Sequence, residues 1–265
     1  MGSPSIFSLR GRKILVTGAA GHLGRALCEY FVSDGATVFA VDLNEKGLAS
    51  LELELKPAEG SFFAFAADLS DEEQRSGLVA QVASQTESLD GAVFAAAFVG
   101  SSDLEGWAVD FAHQSVSTWR KALELNLTAP FHLTQLLEPL LTKGSGPSIV
   151  NIGSIYGSIG PDWSLYEALD MSNPAAYAAS KGGLIQLTRW LASTLAPGIR
   201  VNMVSPGGIS RGQDATFVER YSQKTPLARM ATEHDIVGQV VYLLSGAASY
   251  VTGQNITIDG GITAI

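Results

Sequence analysis

From Lys13 onward, short runs of β-branched and aromatic residues alternate with longer amphipathic stretches, and that alternation leaves few architectures open. Lys13 to Thr17 is followed by the helical pattern Leu23 to Phe31, Thr37 to Val41 by Glu45 to Leu55, and Phe62 to Ala66 by Asp71 to Gln85. The rhythm continues through Ala92 to Phe98, a long helical region around Ser115 to Leu141, Ser148 to Ile152, a helix near Ala175 to Leu195, Arg200 to Val204 and Asn255 to Ile258. Such repetition predicts α/β architecture: βα units feeding a doubly wound parallel sheet of about seven strands, with helices on both faces. No Pro/Ser/Gly linker or charge block divides the 265 residues, so they read as one domain, 1–265.

Composition narrows the function. A content of 46% hydrophobic and 16% charged residues excludes a disordered chain. Seventeen Lys+Arg against 26 Asp+Glu leave a net charge of −9, which repels phosphate backbones and anionic lipid; neither nucleic acid nor a membrane surface is expected as a partner. No run reaches the roughly 18 apolar residues that span a bilayer, the longest being Gly91 to Gly100. Met1 to Arg10 lacks the cationic start and apolar core of a secretory signal and reads as a short leader. The single cysteine, Cys28, allows no intrachain disulfide and no metal cluster, which suits a reducing compartment and a cytoplasmic address.

The first strand runs into Thr17-Gly18-Ala19-Ala20-Gly21-His22-Leu23-Gly24 and then directly into a helix. Small residues let that turn approach a ligand closely, and the new helix aims unpaired N–H groups and the positive end of its dipole at the same spot, where a diphosphate fits. Eighteen positions beyond Gly24, the second strand closes with Asp42-Leu43. A carboxylate there accepts from both adenosine ribose hydroxyls and repels a 2′-phosphate, which favours NAD; neighbouring Arg25 and His22 leave NADP open. Asp68-Leu69, after the third run, either presents a carboxylate to the adenine amino group or caps the helix starting near Asp71.

Tyr177 and Lys181 lie four apart in a predicted helix and so share a face, about 6 Å apart. A free phenol, with a pKa of ~10, is too weak a base at neutral pH. An adjacent ammonium and an oxidised nicotinamide would stabilise the phenolate, and a shift of ~3 units needs about 4 kcal/mol. The group then exchanges a proton with a substrate alcohol while hydride moves. Ser154 follows Ser148 to Ile152, at the edge where open α/β sheets bind ligands, and reads either as a turn residue or as a hydrogen-bond partner of the reacting oxygen. Asn126 sits inside the helical run Leu123 to Leu127, where asparagine is a poor residue. Its amide is either locally bonded or marks a kink holding a water between Lys181 and solvent.

Thr17-Gly18 with Gly24, Asp68-Leu69, Asn126, Ser154, Tyr177 with Lys181, and Ser205-Pro206-Gly207 stand in the order and spacing of the short-chain dehydrogenase/reductase family, which the chain resembles over essentially its whole length. The resemblance implies a Rossmann fold, Tyr177 as general acid/base, and Lys181 on the nicotinamide ribose. It further implies Ser154 orienting substrate, Asn126 in the proton relay, Pro206, Gly207 and Ile209 around the nicotinamide, and a homodimer or homotetramer. Cofactor contacts are then expected from Gly18, Ala20, His22, Leu23, Gly24, Asp42, Leu43, Asp68, Leu69, Ala95, Ala96, Tyr177, Lys181, Pro206, Gly207 and Ile209.

The chain departs from the family pattern in four places. His22 replaces the middle glycine of the first corner, Phe94-Ala95-Ala96-Ala97 replaces Asn-Asn-Ala-Gly, and Arg211 stands at the usual threonine position after Pro206-Gly207. Twenty-three positions separate Ser154 from Tyr177, well beyond the family's usual spacing. Both ends of that stretch are anchored at the reacting centre, so residues 155–176 are expected to overhang the substrate mouth.

This loop carries Trp163, Tyr156 and Tyr166 beside Asp162, Glu167 and Asp170, a set that either grips a polyol or sugar or simply pins the loop to the body. Together with Ser205 to Ile209 and Lys224 to Met230, it is similar to family members associated with flagellin modification and nonulosonic sugar pathways. Arg211, Arg229 and Lys224 read as receivers of a sugar phosphate or as solvated surface charges. The leading expectation is hydride transfer between NAD(P) and a secondary alcohol or ketone on a sugar derivative. Two alternatives are a 3-oxoacyl carrier-protein reductase, disfavoured by the shared acidity of carrier and chain, and a dinucleotide sensor or scaffold without turnover.

Overall fold

The computed structural model describes residues 5–56, 58–99 and 102–265. Seven strands, β1 (Lys13–Thr17), β2 (Thr37–Asp42), β3 (Ser61–Ala66), β4 (Gly91–Phe94), β5 (Ser148–Ile152), β6 (Arg200–Pro206) and β7 (Asn255–Ile258), form one sheet in the order β3-β2-β1-β4-β5-β6-β7. Every neighbouring pair is parallel. The chain winds outward from β1 to β3, returns to β4 beside β1, and winds outward again the other way. That reversal opens a crevice at the strands' carboxyl ends, between β1 and β4.

The connecting helices are α1 (His22–Ser33), α2 (Glu45–Leu55), α3 (Glu72–Gln85), α4 (Val116–Leu123), α5 (Ala129–Leu141), α6 (Ala175–Leu195), α7 (Ala215–Lys224) and α8 (Glu233–Leu244). Period-two alternation in the strands sorts their side chains to two cores. Ile14 and Val16 of β1 face a cluster with Leu27 and Phe31 of α1 and Val240 of α8; Leu15 faces Leu133 and Leu137 of α5 and Leu191 of α6. Because both faces are covered, β4 and β5 are buried from end to end and β1 from Ile14 onward. Edge strand β3 is half open, with Phe63 stacked on Phe39 at 5.3 Å between ring centroids.

Three sequence expectations change. The run Ala92 to Phe98 is a strand only as far as Phe94, because the Thr17 hydroxyl accepts from the backbone N–H of both Ala95 and Ala96 and draws the chain out of the ladder. Helices α7 and α8 add two elements to those the alternation of runs marks out. The long helix is interrupted by a π-helical turn at Glu124–Thr128. There the Ala129 N–H reaches back five residues to the Glu124 carbonyl, and Pro130 has no N–H to offer. The carbonyls of Leu125 and Asn126 thereby lose their α-helical donors.

Candidate active site

Register places the strand ends level: Thr17 lies opposite Val41 and Phe94, Phe94 opposite Asn151, and Ile152 opposite Val204. The loops leaving them converge on a cleft of about 1070 Å³. Gly18, His22, Leu23, Gly24, Asp42, Leu43, Asp68, Leu69, Ala95, Ala96, Ser154, Tyr177, Lys181, Pro206, Gly207 and Ile209 all line it. Two expected residues do not. The Ala20 N–H is turned to Asp42 Oδ2 at 3.0 Å, and Asn126 is buried behind the wall.

The first corner is closed on itself by glycine. Gly18 has φ +68°, and a Cβ on Gly24 would stand 2.0 Å from the Gly18 carbonyl oxygen, so helix α1 can begin this close to β1 only without a side chain there. His22 opens α1 and is exposed at the mouth. Asp42 accepts from Ala20 N–H and, through Oδ1, from Asn44 N–H at 2.8 Å, which holds its carboxylate at the cleft beside exposed Leu43. Arg25 is spent on Glu54 at 2.6 Å. Asp68 Oδ1 accepts from the backbone and hydroxyl of Ser70, while Asp71 is the cap of α3. The helix-cap reading of Asp68 is therefore replaced by a turn that faces the cleft. These residues fit a dinucleotide: a bare-backbone corner under a helix N-terminus, then a fixed carboxylate.

Tyr177 stands in the first turn of α6, which starts after Pro174 and receives no side-chain cap. Lys181, one turn further on, is 3% exposed and donates to the Ile152 carbonyl at 2.8 Å; its Nζ lies 5.8 Å from the centroid of the Tyr177 ring. Desolvation pushes Lys181 down to about 8. Burial pushes the Tyr177 phenol up, opposed by the neighbouring Ser154 hydroxyl and by the positive field of Arg211. Loss of solvent outweighs the positive field of Arg211 in the protein alone, whereas the expected stabilisation of the phenolate counts the nicotinamide charge together with the ammonium. Ser154 Oγ also accepts from Tyr156 N–H at 3.2 Å, fixing the turn that follows β5.

Asn126 uses its whole amide locally. Oδ1 accepts from Phe98 N–H at 2.8 Å, and Nδ2 donates to the Phe98 carbonyl at 3.0 Å and to Ser180 Oγ at 3.1 Å. It ties the segment after β4 to α6 beside Lys181. The sequence signal for the surrounding π turn was Pro130, four residues downstream.

Tyr156, Tyr166, Asp170 and Asn173 of the long loop line the cleft. Trp163 is 57% exposed and, like Asp162 and Glu167, does not line it. Lys224 pairs with Asp162 and Arg229 with Asp235, both away from the cleft. Arg211 alone of the three candidate cations faces in, held to Glu233 at 2.9 Å. Asn173 was missed, since nothing in its local sequence separates it from an ordinary residue before a proline. Among the described residues no group of His, Cys, Asp and Glu is placed to hold a metal ion, and no helix is long and apolar enough to cross a membrane.

Comparison with known proteins agrees with this geometry. The family described as Enoyl-(Acyl carrier protein) reductase matches residues 18–263. The chain is 31% identical to a 3-oxoacyl-[acyl-carrier-protein] reductase of Thermotoga maritima, over 96% of this chain and 98% of that one. It is 29% identical to post-translational flagellin modification protein A of Campylobacter coli, again over 96% and 98%. Among solved structures, a short-chain dehydrogenase from Leptospira borgpetersenii with bound NAD+ superposes with a TM-score of 0.86 at 31% identity, covering 99% of this chain and 97% of that one. The RhlG/NADP complex of Pseudomonas aeruginosa gives 0.86 at 28% identity, covering 98% and 99%.

Proposed function

The chain belongs to the short-chain dehydrogenase/reductase family, and on that premise we propose that it is an NAD(P)-linked oxidoreductase interconverting a secondary alcohol and a ketone on a sugar-like substrate. The observation that carries this reading is the meeting of Ser154, Tyr177 and the desolvated Lys181 in one cleft with the glycine corner and Asp42. When bound, the nicotinamide supplies or accepts the hydride.

The residues divide the remaining work. Gly18, Leu23 and Gly24 admit the diphosphate to the N-terminus of α1, Asp42 and Leu43 take the adenosine end, and Pro206, Gly207 and Ile209 face the nicotinamide end. Asp42 favours the unphosphorylated ribose of NAD, and Arg25, one of the two residues that left NADP open, is engaged by Glu54. Ser154 holds the reacting oxygen by a neutral hydrogen bond. Tyr177 Oη takes the hydroxyl proton in oxidation and returns it in reduction; its position at the start of α6 adds the helix dipole to the charges favouring the phenolate. Lys181 would bind the nicotinamide ribose, and the carbonyl of Asn126, whose α-helical donor is lost to Pro130, would accept in a proton path from Lys181 to solvent.

Residues 1–265 form one dinucleotide-binding domain in this reading, with 155–176 as its substrate loop. The exposed edge of β7 suits pairing of copies into a homodimer or homotetramer, which light scattering would size. The lone cysteine, buried at Cys28, accords with a cytoplasmic site of action.

The test is absorbance at 340 nm with cofactor and a panel of sugars, polyols and simple alcohols, in the native protein and in Tyr177→Phe. Turnover that falls by roughly 10²-fold or more in the variant supports the assignment. Equal turnover in both removes the phenol from the reaction, and tight NAD binding without turnover on any alcohol points to the sensor reading instead.

A further inference from the structure

Two buried side-chain oxygens have no hydrogen-bond partner among the described residues, Asn151 Oδ1 and Asn173 Oδ1. Asn151 is inside β5, sealed in the sheet and absent from the cleft wall. Asn173 is different: it is only 6% exposed, yet it lines the cleft, four residues before Tyr177. A buried amide oxygen without a donor is destabilising, and folded proteins keep few of them. Its surroundings are also polar. Tyr156 and Tyr166 line the same cleft, their hydroxyl oxygens are 2.7 Å apart, and the Asn173 side chain lies near enough to favour the ionised form of both phenols. Tyr166 in turn is close enough to disfavour the phenolate of Tyr177, so the cluster adjoins the reacting centre.

We propose that Asn173 Oδ1 and the Tyr156–Tyr166 hydroxyl pair receive a second hydroxyl of the substrate, so that the enzyme selects polyols and sugars over alcohols with a single oxygen. The proposal rests on the redox reading of the same cleft and assigns its substrate class. Donor arithmetic decides the chemistry. One phenol hydrogen is used within the pair and the other is free, while Asn173 Oδ1 is a buried acceptor without a donor. A hydroxyl satisfies both, giving its hydrogen to Asn173 and accepting the free phenol hydrogen. A ketone or thioester oxygen brings no hydrogen and leaves Asn173 unpaired, which sets this site against an acyl-carrier substrate.

The experiment compares ribitol and xylitol with 2-pentanol, which has the same number of carbons and one hydroxyl, on the NAD-loaded protein. Turnover at 340 nm and calorimetric binding are both measured. The expected result is a kcat/KM favouring the pentitols, with that ratio falling on the order of tenfold to a hundredfold in Asn173→Leu and about tenfold in Tyr156→Phe. Calorimetry on NAD-loaded Tyr177→Phe should rank ribitol above 2-pentanol, and the ranking should vanish when Asn173→Leu is added. The Tyr156→Phe arm guards against a folding defect at buried Asn173. Equal handling of pentitols and 2-pentanol by the native protein, or a ratio unmoved by both substitutions, overturns the subsite while leaving the redox reading intact. Absence of hydride transfer to every alcohol, with ribitol still ranked first in binding, sinks the redox reading and spares the subsite.

Discussion

The Lys181 ammonium lies 5.8 Å from the centre of the Tyr177 ring and spends a hydrogen bond on the Ile152 carbonyl, one strand end away. The pair is therefore arranged around a space between β5 and α6, with the cation held by the sheet and the phenol by the first turn of the helix. This arrangement has consequences for pH, stability and binding.

In the free protein the Tyr177 phenol sits above its ordinary range, because burial outweighs Ser154 and Arg211. Adding the positive charge of NAD+ must lower it. Binding then favours the deprotonated phenol, so NAD+ affinity should rise with pH between the bound and free pKa values, with proton release. Titration calorimetry in two buffers of different ionisation enthalpy measures that proton, and it should disappear in Tyr177→Phe. Identical apparent enthalpies in both buffers for the native protein would refute the coupling.

Lys181 in the folded protein titrates near 8, against 10.5 for the ordinary side chain. Between those values the unfolded chain binds more protons than the native one, so this residue makes stability rise with pH across that window. Below pH 8 its burial costs on the order of 3 kcal/mol, offset in part by the bond to Ile152. Lys181→Met should thus unfold at higher urea concentration than the native protein at pH 7, lose turnover, and keep less of its stability advantage at pH 10. A less stable variant at pH 7 would show that the hydrogen bond outweighs desolvation.

Asn126 satisfies both backbone groups of Phe98. Asn126→Ala orphans them in a half-buried segment and should destabilise the fold by about 1–3 kcal/mol, read from urea unfolding. A change below ~0.5 kcal/mol, the usual range for surface substitutions, would mean that Thr17, Ser102 and Trp107 hold the segment after β4 without Asn126.

Asp42 bears on cofactor choice and on the corner itself, since it accepts from Ala20 N–H. Asp42→Ala should weaken NADH binding about tenfold, through loss of charged hydrogen bonds, and NADPH binding less. Fluorescence titration of both cofactors checks this. Tighter NADPH than NADH binding in the native protein would show that Asp42 does not select against the 2′-phosphate.

Much of this molecule was legible before its coordinates. Lys13–Thr17, Ser148–Ile152 and Asn255–Ile258 are strands with the bounds their β-rich runs predict, and Glu45–Leu55 and Ala175–Leu195 are helices with theirs. Buried parallel strands and amphipathic helices each write a local period into the chain. Helices α7 and α8 went unread, and the fourth strand was drawn too long because apolar Ala95 to Phe98 continues a strand-like run. Its true end is set by a hydroxyl seventy-eight positions away, Thr17.

Local order along the chain thus decided which elements form, where the glycine corner falls and that Tyr177 and Lys181 share a helix face, because each depends on residues within a few turns of one another. Packing between distant segments decided the rest. It sorted the loop's polar residues into those facing the cleft and those spent on surface ion pairs, and it buried the Tyr177 phenol, which pushes its pKa up. It also left Asn173 buried with a free acceptor. Burial and hydrogen-bond satisfaction are properties of neighbours brought together by the sheet, and no spacing along the chain encodes them.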